Sequence, residues 1–529
     1  MRNLKQFVTA VIFAGSALVF APQLHAASSA NWKFDLGSGT AQSGYIQVPP
    51  TRTYTTSVGY GFVNTELTSV DRGAPDALRG DYITGTRAFS FYANVPANSN
   101  YNVTVITGDN TATSNTSIKS EGERILTQNL TTASGQFSTY TTTIRVKADG
   151  VLDLTFYGSA PKVCSIDIAQ TTSAITLFIA GDSTVTDQTD TVYAGWGQMY
   201  SSYVTQGVAV GNFADSGESS TSFWSPFYTG GIQPYLKSGD YLFIQFGHND
   251  EKALTLAQYK AGLKAYVDDA KAKGAKPVLV TPLERNVWSG GALTFSHGNY
   301  PATMIQLANE TGTPCIDLTT SSHNLWASLG QAVATTYFYP GDRTHPNQAG
   351  AMRVAALVRD GVRALNLSPL ASFTRTTTPP LPNQAPAGLP AAGAYSLFSR
   401  ASTFALDSLG GTTDGANVGL YENGTSANQR WNLTYISATV VKLQCASSGK
   451  YLDGMGRATS GSIVAQWTGG SSNNQRWTIS DRGLGYHSLT NVATGLTVAI
   501  DAAPVNLNTA KQVTTDVTNW WQQWLFVAP

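Results

Sequence analysis

Charge is what this sequence has least of. Only 12% of its 529 residues are Asp, Glu, Lys or Arg, and 33 basic side chains are balanced by 33 acidic ones. A balanced chain has no long-range field to draw nucleic acid or an anionic membrane to it, so neither is an expected partner. Cysteine is scarce as well. Cys164, Cys315 and Cys445 are too few for a disulfide framework and lie far apart in apolar, strand-like stretches, which predicts three buried free thiols and no redox or metal site. Long apolar runs are missing after residue 20, so no later segment reads as a membrane span. The early run, Phe7 to Phe20, follows Arg2 and Lys5 and precedes Leu24-His25-Ala26. That is the pattern of a signal peptide occupying residues 1–26, and the mature chain is expected to be secreted or periplasmic.

What is abundant is uncharged: 50 Gly, 24 Tyr and 11 Trp. Hydroxyls, amides and rings without charge suit a carbohydrate partner, whose hydroxyls take hydrogen bonds and whose C–H faces stack on aromatics. The length exceeds what one core supports, so several domains are expected. Residues 28–170 alternate apolar and polar positions in short runs such as Ala88-Phe-Ser-Phe-Tyr-Ala and Tyr101-Asn-Val-Thr-Val-Ile, with turn residues between them. This predicts a β-sandwich. Its opening Lys33-Phe-Asp-Leu-Gly37 and the run Gly59-Tyr-Gly-Phe62 resemble the galactose-binding-like modules that precede some bacterial esterase domains. The resemblance leaves open whether the module binds sugar or packs on its neighbour, and packing is the favoured reading.

Residues 174–368 change pattern. Apolar strands at Ile175–Gly181, Tyr241–Phe246, Lys276–Thr281 and Pro314–Leu318 alternate with amphipathic helices at Leu256–Lys273, Pro301–Thr311 and Gln348–Leu365. Alternation of this kind predicts a parallel sheet covered by helices on both faces, with the active site beyond the carboxyl ends of the strands. Ser183 follows the first strand on a glycine turn, Gly181-Asp-Ser-Thr-Val, and is the candidate nucleophile. Asp342-Arg-Thr-His345 supplies an acid three residues before a base, close enough to fix the imidazole tautomer.

These strings, together with Ser216-Gly217-Glu218-Ser219 and Gly247-His-Asn249-Asp250, resemble the four blocks of the SGNH (GDSL-type) hydrolases. More narrowly, Gly195-Trp196-Gly-Gln198 and Phe246-Gly-His-Asn-Asp-Glu-Lys252 resemble rhamnogalacturonan acetylesterases. The resemblance implies Ser183 as nucleophile, His345 as general base and then acid, and Asp342 as its orienting partner. It implies an oxyanion hole made by the backbone N–H of Ser183, the backbone N–H of Gly217 and the amide of Asn249. It calls for no cofactor. Asp182 reads as a turn residue and His248 as a structural histidine. Trp196, His297 and Arg285 are the candidate substrate contacts.

A Thr- and Pro-rich linker at residues 372–391 leads to a threefold repeat over 392–529. Gln429-Arg-Trp431, Gln475-Arg-Trp477 and Gln522-Gln-Trp524 recur at near-equal spacing, each preceded by an Asp at 407, 453 and 501. A repeat of this kind stacks on itself around a shared core. The Gln-x-Trp triplets resemble ricin-type β-trefoil lectins. That resemblance implies sugar pockets at Asp407, Tyr421 and Asn428 and at Asp453, Trp467 and Asn474, whereas Trp521 stands where the third lobe needs an Asn. The expected whole is a monomeric carbohydrate esterase acting on an acetylated plant cell-wall polysaccharide, rhamnogalacturonan being favoured. An acetylxylan or other ester hydrolase, and a catalytically silent lectin, remain the alternatives.

Overall fold

A computed structural model describes residues 30–63, 67–85, 88–188, 193–339, 342–377, 389–399, 404–422, 426–482, 486–500, 507–516 and 519–527. The signal-peptide stretch, most of the linker and Asp501 lie outside these. The amino-terminal region is a sandwich of two sheets. One has the strand order Tyr60–Phe62, Phe89–Asn94, Val151–Ala160, Ser114–Ser120, Arg124–Thr132. The facing sheet contains Gln136–Arg145, Asn100–Asp109, Val163–Thr171 and Asn31–Leu36. Alternate residues of both, among them Phe34, Phe62, Phe91, Val105 and Ile166, close into one buried core.

The central region carries five parallel strands in the order Cys315–Ile316, Lys276–Val280, Tyr241–Gln245, Ile175–Gly181, Val208–Asn212. Successive side chains of the Ile175–Gly181 strand serve opposite faces. Leu177 and Ile179 join Trp326, Val354 and Val358 on one side, and Phe178 and Ala180 join Leu263, Val267 and Leu307 on the other. The helices end where local chemistry stops them. Thr255 and Gln258 form a reciprocal capping box before Leu256–Ala272, and Gly312 closes Tyr300–Thr311 in the left-handed conformation at φ 60°. Asn347 caps Gln348–Ala364 by accepting from Gly350 N–H at 3.0 Å.

Two expectations need correction. The apolar stretch at Pro314–Leu318 is strand only at Cys315–Ile316, because the Asp317 carboxylate accepts from Thr320 N–H and starts a further helix, Leu318–Thr335. Cys315 is consequently half-buried, while Cys164 and Cys445 are buried; all three are free thiols. No helix among the described residues is long and apolar enough to cross a membrane.

The sandwich and the central region share one continuous sheet. Gln136–Arg145 runs parallel to Val208–Asn212, with Thr143 opposite Ala209 and Ile144 opposite Val210. On the other side, the chain stays attached to the parallel-sheet domain as far as Thr377: Arg375 N–H donates to Tyr203 O at 2.8 Å, and Arg359 Nη1 donates to Thr377 O at 3.4 Å.

The carboxy-terminal repeat folds around Trp431, Trp477 and Trp524, all fully buried. Each indole N–H donates to a backbone carbonyl of its own lobe: to Leu406 at 2.9 Å, Leu452 at 3.1 Å and Val498 at 3.1 Å. Each preceding Gln binds a strand-end carbonyl, of Tyr421, Thr468 and Thr514. A second set of glutamines joins neighbouring lobes. Gln466 donates to the carbonyls of Ser408 and Gly411 in the first lobe, and Gln512 donates to those of Gly454 and Arg457 in the second.

Trp477→Phe keeps a ring in the core but strands the Leu452 carbonyl, and an unpaired buried acceptor costs about 1–3 kcal/mol. Calorimetry should show the trefoil transition moving to lower temperature, with the transition of the two amino-terminal domains unchanged.

Candidate active site

The Ile175–Gly181 strand is buried along nearly its whole length and ends at a turn that exposes one hydroxyl. Gly181 is required there by space, since a Cβ at this position would fall 2.7 Å from Val185 Cγ2. The turn closes through Val185 N–H donating to Asp182 O at 3.0 Å. Asp182 is itself buried, and its carboxylate accepts from Thr184 N–H at 3.0 Å and Thr184 O–H at 2.7 Å and faces His248 Nδ1 at 3.2 Å. Ser183 is left half-buried at the carboxyl end of the sheet.

Its hydroxyl lies 2.8 Å from His345 Nε2, and His345 Nδ1 lies 2.6 Å from Asp342 Oδ2. A carboxylate only accepts, so Nδ1 carries the proton and Nε2 presents a lone pair to the Ser183 O–H. The other oxygen of Asp342 takes Thr344 N–H at 2.6 Å and His345 N–H at 3.1 Å, which locks the acid. Burial works against the charge on Asp342, but the bond and charge of His345 and the two backbone donors hold its carboxyl below the ordinary range.

Two further loops reach the same place. Gly217 sits at φ +87° with open space where a side chain would be, so its backbone is accessible and glycine is favoured there. The Asn249 amide donates to the Glu218 carbonyl at 3.0 Å, tying the Gly247–Asp250 loop to the Gly217 loop. One amide N–H remains for a ligand. Among the described residues no group of three or more His, Cys, Asp or Glu is arranged to hold a metal ion.

Trp196 and His297 are not presented to a substrate. Trp196 is fully buried in the core beneath the site, its indole N–H donating to Gln245 Oε1 at 2.7 Å. His297 is buried too, with Nε2 2.8 Å from Leu283 O and Nδ1 3.1 Å from Glu251. Arg285 is occupied by the same carboxylate and by Thr344 Oγ1. Burial opposes the charge on Glu251, yet His297 and Arg285 hold its carboxyl at about 2, so this cluster pins loops together. Sequence reasoning missed two side chains that do reach the triad. The Tyr193 ring packs against His345 at 5.5 Å between centroids. Gln188 donates to Ser183 O at 3.0 Å and to Ser216 Oγ at 3.2 Å. Neither carries a spacing signal.

The carboxylates around the site fall into two groups with opposite effects on stability. Burial pushes Asp250 up to about 6, one of its oxygens being buried without a partner, whereas Asp182 and Asp342 stay below the ordinary value of 3.8. A raised group takes its proton in the folded state first, so its contribution is full below 3.8 and is lost as pH rises from there through 6; depressed groups lose theirs as pH falls past 3.8. Unfolding temperatures measured from pH 3 to 8 should therefore peak near pH 4 and decline from there to about pH 6. Asp250→Asn should flatten the decline between about pH 4 and 6 and leave stability at about pH 3 nearly unchanged.

Three family models match stretches of the chain. Residues 179–353 match the GDSL-like Lipase/Acylhydrolase family, residues 32–162 the beta-agarase/YXIM esterase-like, galactose-binding domain-like family, and residues 427–520 the ricin-type beta-trefoil lectin domain-like family. Rhamnogalacturonan acetylesterase RhgT of Bacillus subtilis is 37% identical over 212 residues, covering 36% of this chain and 91% of the relative. The uncharacterized esterase YxiM of the same organism is 30% identical over 396 residues, covering 70% of this chain and 100% of the relative. A rhamnogalacturonan acetylesterase of Emericella nidulans is 28% identical, covering 38% of this chain and 92% of the relative. With serine, histidine and aspartate in hydrogen-bond contact at the carboxyl end of the sheet and these family and relative matches, the chain belongs to the GDSL-type carboxylic ester hydrolases, as a carbohydrate esterase with an appended lectin-like module.

Proposed function

We propose that the chain is an exported, monomeric deacetylase of pectic rhamnogalacturonan that works through an acyl-enzyme. The observation that carries the reading is the unbroken relay from Ser183 through His345 to Asp342, at 2.8 and 2.6 Å. His345 takes the Ser183 proton as the oxygen attacks an acetyl carbonyl on a sugar hydroxyl. The tetrahedral oxyanion meets the backbone N–H groups of Ser183 and Gly217 and the free amide N–H of Asn249. His345 then gives its proton to the departing sugar oxygen, and water, deprotonated by the same imidazole, releases acetate. The names of the bacterial and fungal relatives favour rhamnogalacturonan over xylan as the polymer.

The trefoil supports a polymeric substrate. An open pocket of about 770 Å³ in its second lobe is lined by Asp453, Trp467 and Asn474 together with Asp414 and Thr468. Trp467 and Tyr421 are both more than 40% exposed, which is what a stacking platform requires and a core aromatic does not. In both lobes the Asp is braced alike: Leu409 N–H donates to Asp407 and Met455 N–H to Asp453, each at 2.6 Å. Asn428 and Asn474 stand beside Gly410 and Gly456 in matching positions. Two carbohydrate sites on a tether would raise the concentration of polymer at the esterase.

Acetate released from acetylated rhamnogalacturonan and from acetylated xylan tests the reading. Ser183→Ala should abolish release from the pectic polymer. Asp342→Asn should lower kcat by about 10⁴-fold and Asn249→Ala by about 10²- to 10³-fold. Release from xylan alone would move the substrate and keep the mechanism. Separately, Trp467→Ala combined with Tyr421→Ala should weaken retention on immobilised polysaccharide in affinity electrophoresis while hydrolysis of p-nitrophenyl acetate stays at the wild-type rate.

A further inference from the structure

The sandwich reaches the nucleophile turn through one side chain. Arg124 belongs to the strand Arg124–Thr132, far from the hydrolase in sequence, yet it is 2% exposed and all its donor nitrogens are committed to hydrolase groups. Nε donates to Asp187 Oδ2 at 2.8 Å, Nη1 to Val210 O at 3.0 Å and Nη2 to Asn212 O at 3.1 Å. The two carbonyls lie at the carboxyl end of the strand next to the one that carries Ser183, and Asp187 lies four residues beyond Ser183. A guanidinium can satisfy three acceptors at fixed angles where an ammonium cannot, so the contact fixes direction as well as distance.

What Arg124 holds continues to the serine. Asp187 accepts from Asn212 Nδ2 at 2.8 Å, and the same amide donates to Val185 O at 2.7 Å. A second thread starts at the neighbouring Glu123, whose carbonyl accepts from Gln198 Nε2 at 3.0 Å. Gln198 grips Gln188 by both N–H and C=O, and Gln188 in turn binds the Ser183 carbonyl and Ser216 Oγ, next to Gly217. There is little slack in this layer. A Cβ at Gly197 would lie 2.6 Å from Val185 O and 2.7 Å from Asn212 Nδ2. Burial disfavours charge on Asp187, but Arg124 and Lys147 keep its carboxyl below the ordinary range, so the ion pair is intact near neutral pH.

We propose that Arg124 is a positioning residue for the ester hydrolysis, by which the sandwich sets the Ser183 turn and the Gly217 loop in register with each other. The galactose-binding-like domain thereby completes the catalytic site from behind. This rests on Ser183 being the nucleophile. A displacement of about 1 Å in a reacting group costs on the order of 10²-fold in rate, which is the scale expected when the guanidinium is removed.

The experiment uses the full chain and p-nitrophenyl acetate, so that polysaccharide preference does not enter. Arg124→Ala should lower kcat about 10- to 100-fold at unchanged KM. Methylguanidinium at low millimolar concentration should restore part of the loss, whereas methylammonium at equal ionic strength should not. Should Arg124→Ala fail to fold, Arg124→Lys, which keeps the charge and loses the fork, is expected to fold and to show the kcat defect at unchanged KM. Wild-type kcat in a folded Arg124→Ala or Arg124→Lys would overturn the proposal. So would a loss that tracks unfolding at the assay temperature and is not rescued by methylguanidinium. Ser183→Ala is assayed alongside: if it retains activity the nucleophile assignment fails, and if it is inactive while the Arg124 variants are normal only the positioning role fails.

Discussion

A parallel sheet has to stop somewhere, and its last strand presents a row of unpaired N–H and C=O groups. In this chain the Val208–Asn212 strand would be that edge. It is closed by Gln136–Arg145 of the sandwich, so the two domains are one sheet with two kinds of cover. Side chains reinforce the junction: Asn100 Nδ2 donates to Thr176 Oγ1 at 2.9 Å, and Gly207 N–H donates to Thr143 Oγ1 at the same distance. Arg145 is buried across it, with its guanidinium against the rings of Phe178 and Tyr235 at 5.1 and 5.4 Å. Ser183, Gly217 and Asn249 all follow the carboxyl ends of strands that this pairing keeps in place.

The sequence made the triad residues easy to single out because their signals are local. A buried strand, a glycine turn and a serine occupy nine residues, and Asp342 and His345 share one turn of chain. Helix limits were readable to within a residue or two where Thr255, Gly312 and Asn347 provide caps. The failures have a common cause. Trp196 follows a Gly-rich loop and His297 lies in a loop beyond a strand, and neither position says whether a ring points to solvent or into a packed layer. Hydrogen-bond partners decided each case, Gln245 for the indole, and Leu283 O and Glu251 for the imidazole. Arg124 is the reverse. It contacts groups 63 to 88 residues away, and nothing in its neighbourhood distinguishes it from any other arginine on a strand.

The repeat in the last third shows the same division between what spacing reveals and what it conceals. The recurrence of Gln-x-Trp exposes the lobes because each lobe needs one indole in the common core and one amide on its strand end. The glutamines that join lobes leave no such trace, since each acts on a neighbour about 55 to 58 residues away.

Those joining glutamines impose a hierarchy on an outwardly symmetric domain. Gln466 of the second lobe fastens the backbone that follows Asp407, and Gln512 of the third fastens the backbone that follows Asp453. Each of these two loops is thus buttressed by the lobe after it. The third lobe, with Trp521 where a binding amide belongs, has a reason to persist that is independent of any ligand of its own: it is the abutment on which its predecessor's pocket leans, and drift at its surface is tolerable so long as Gln512 keeps its grip.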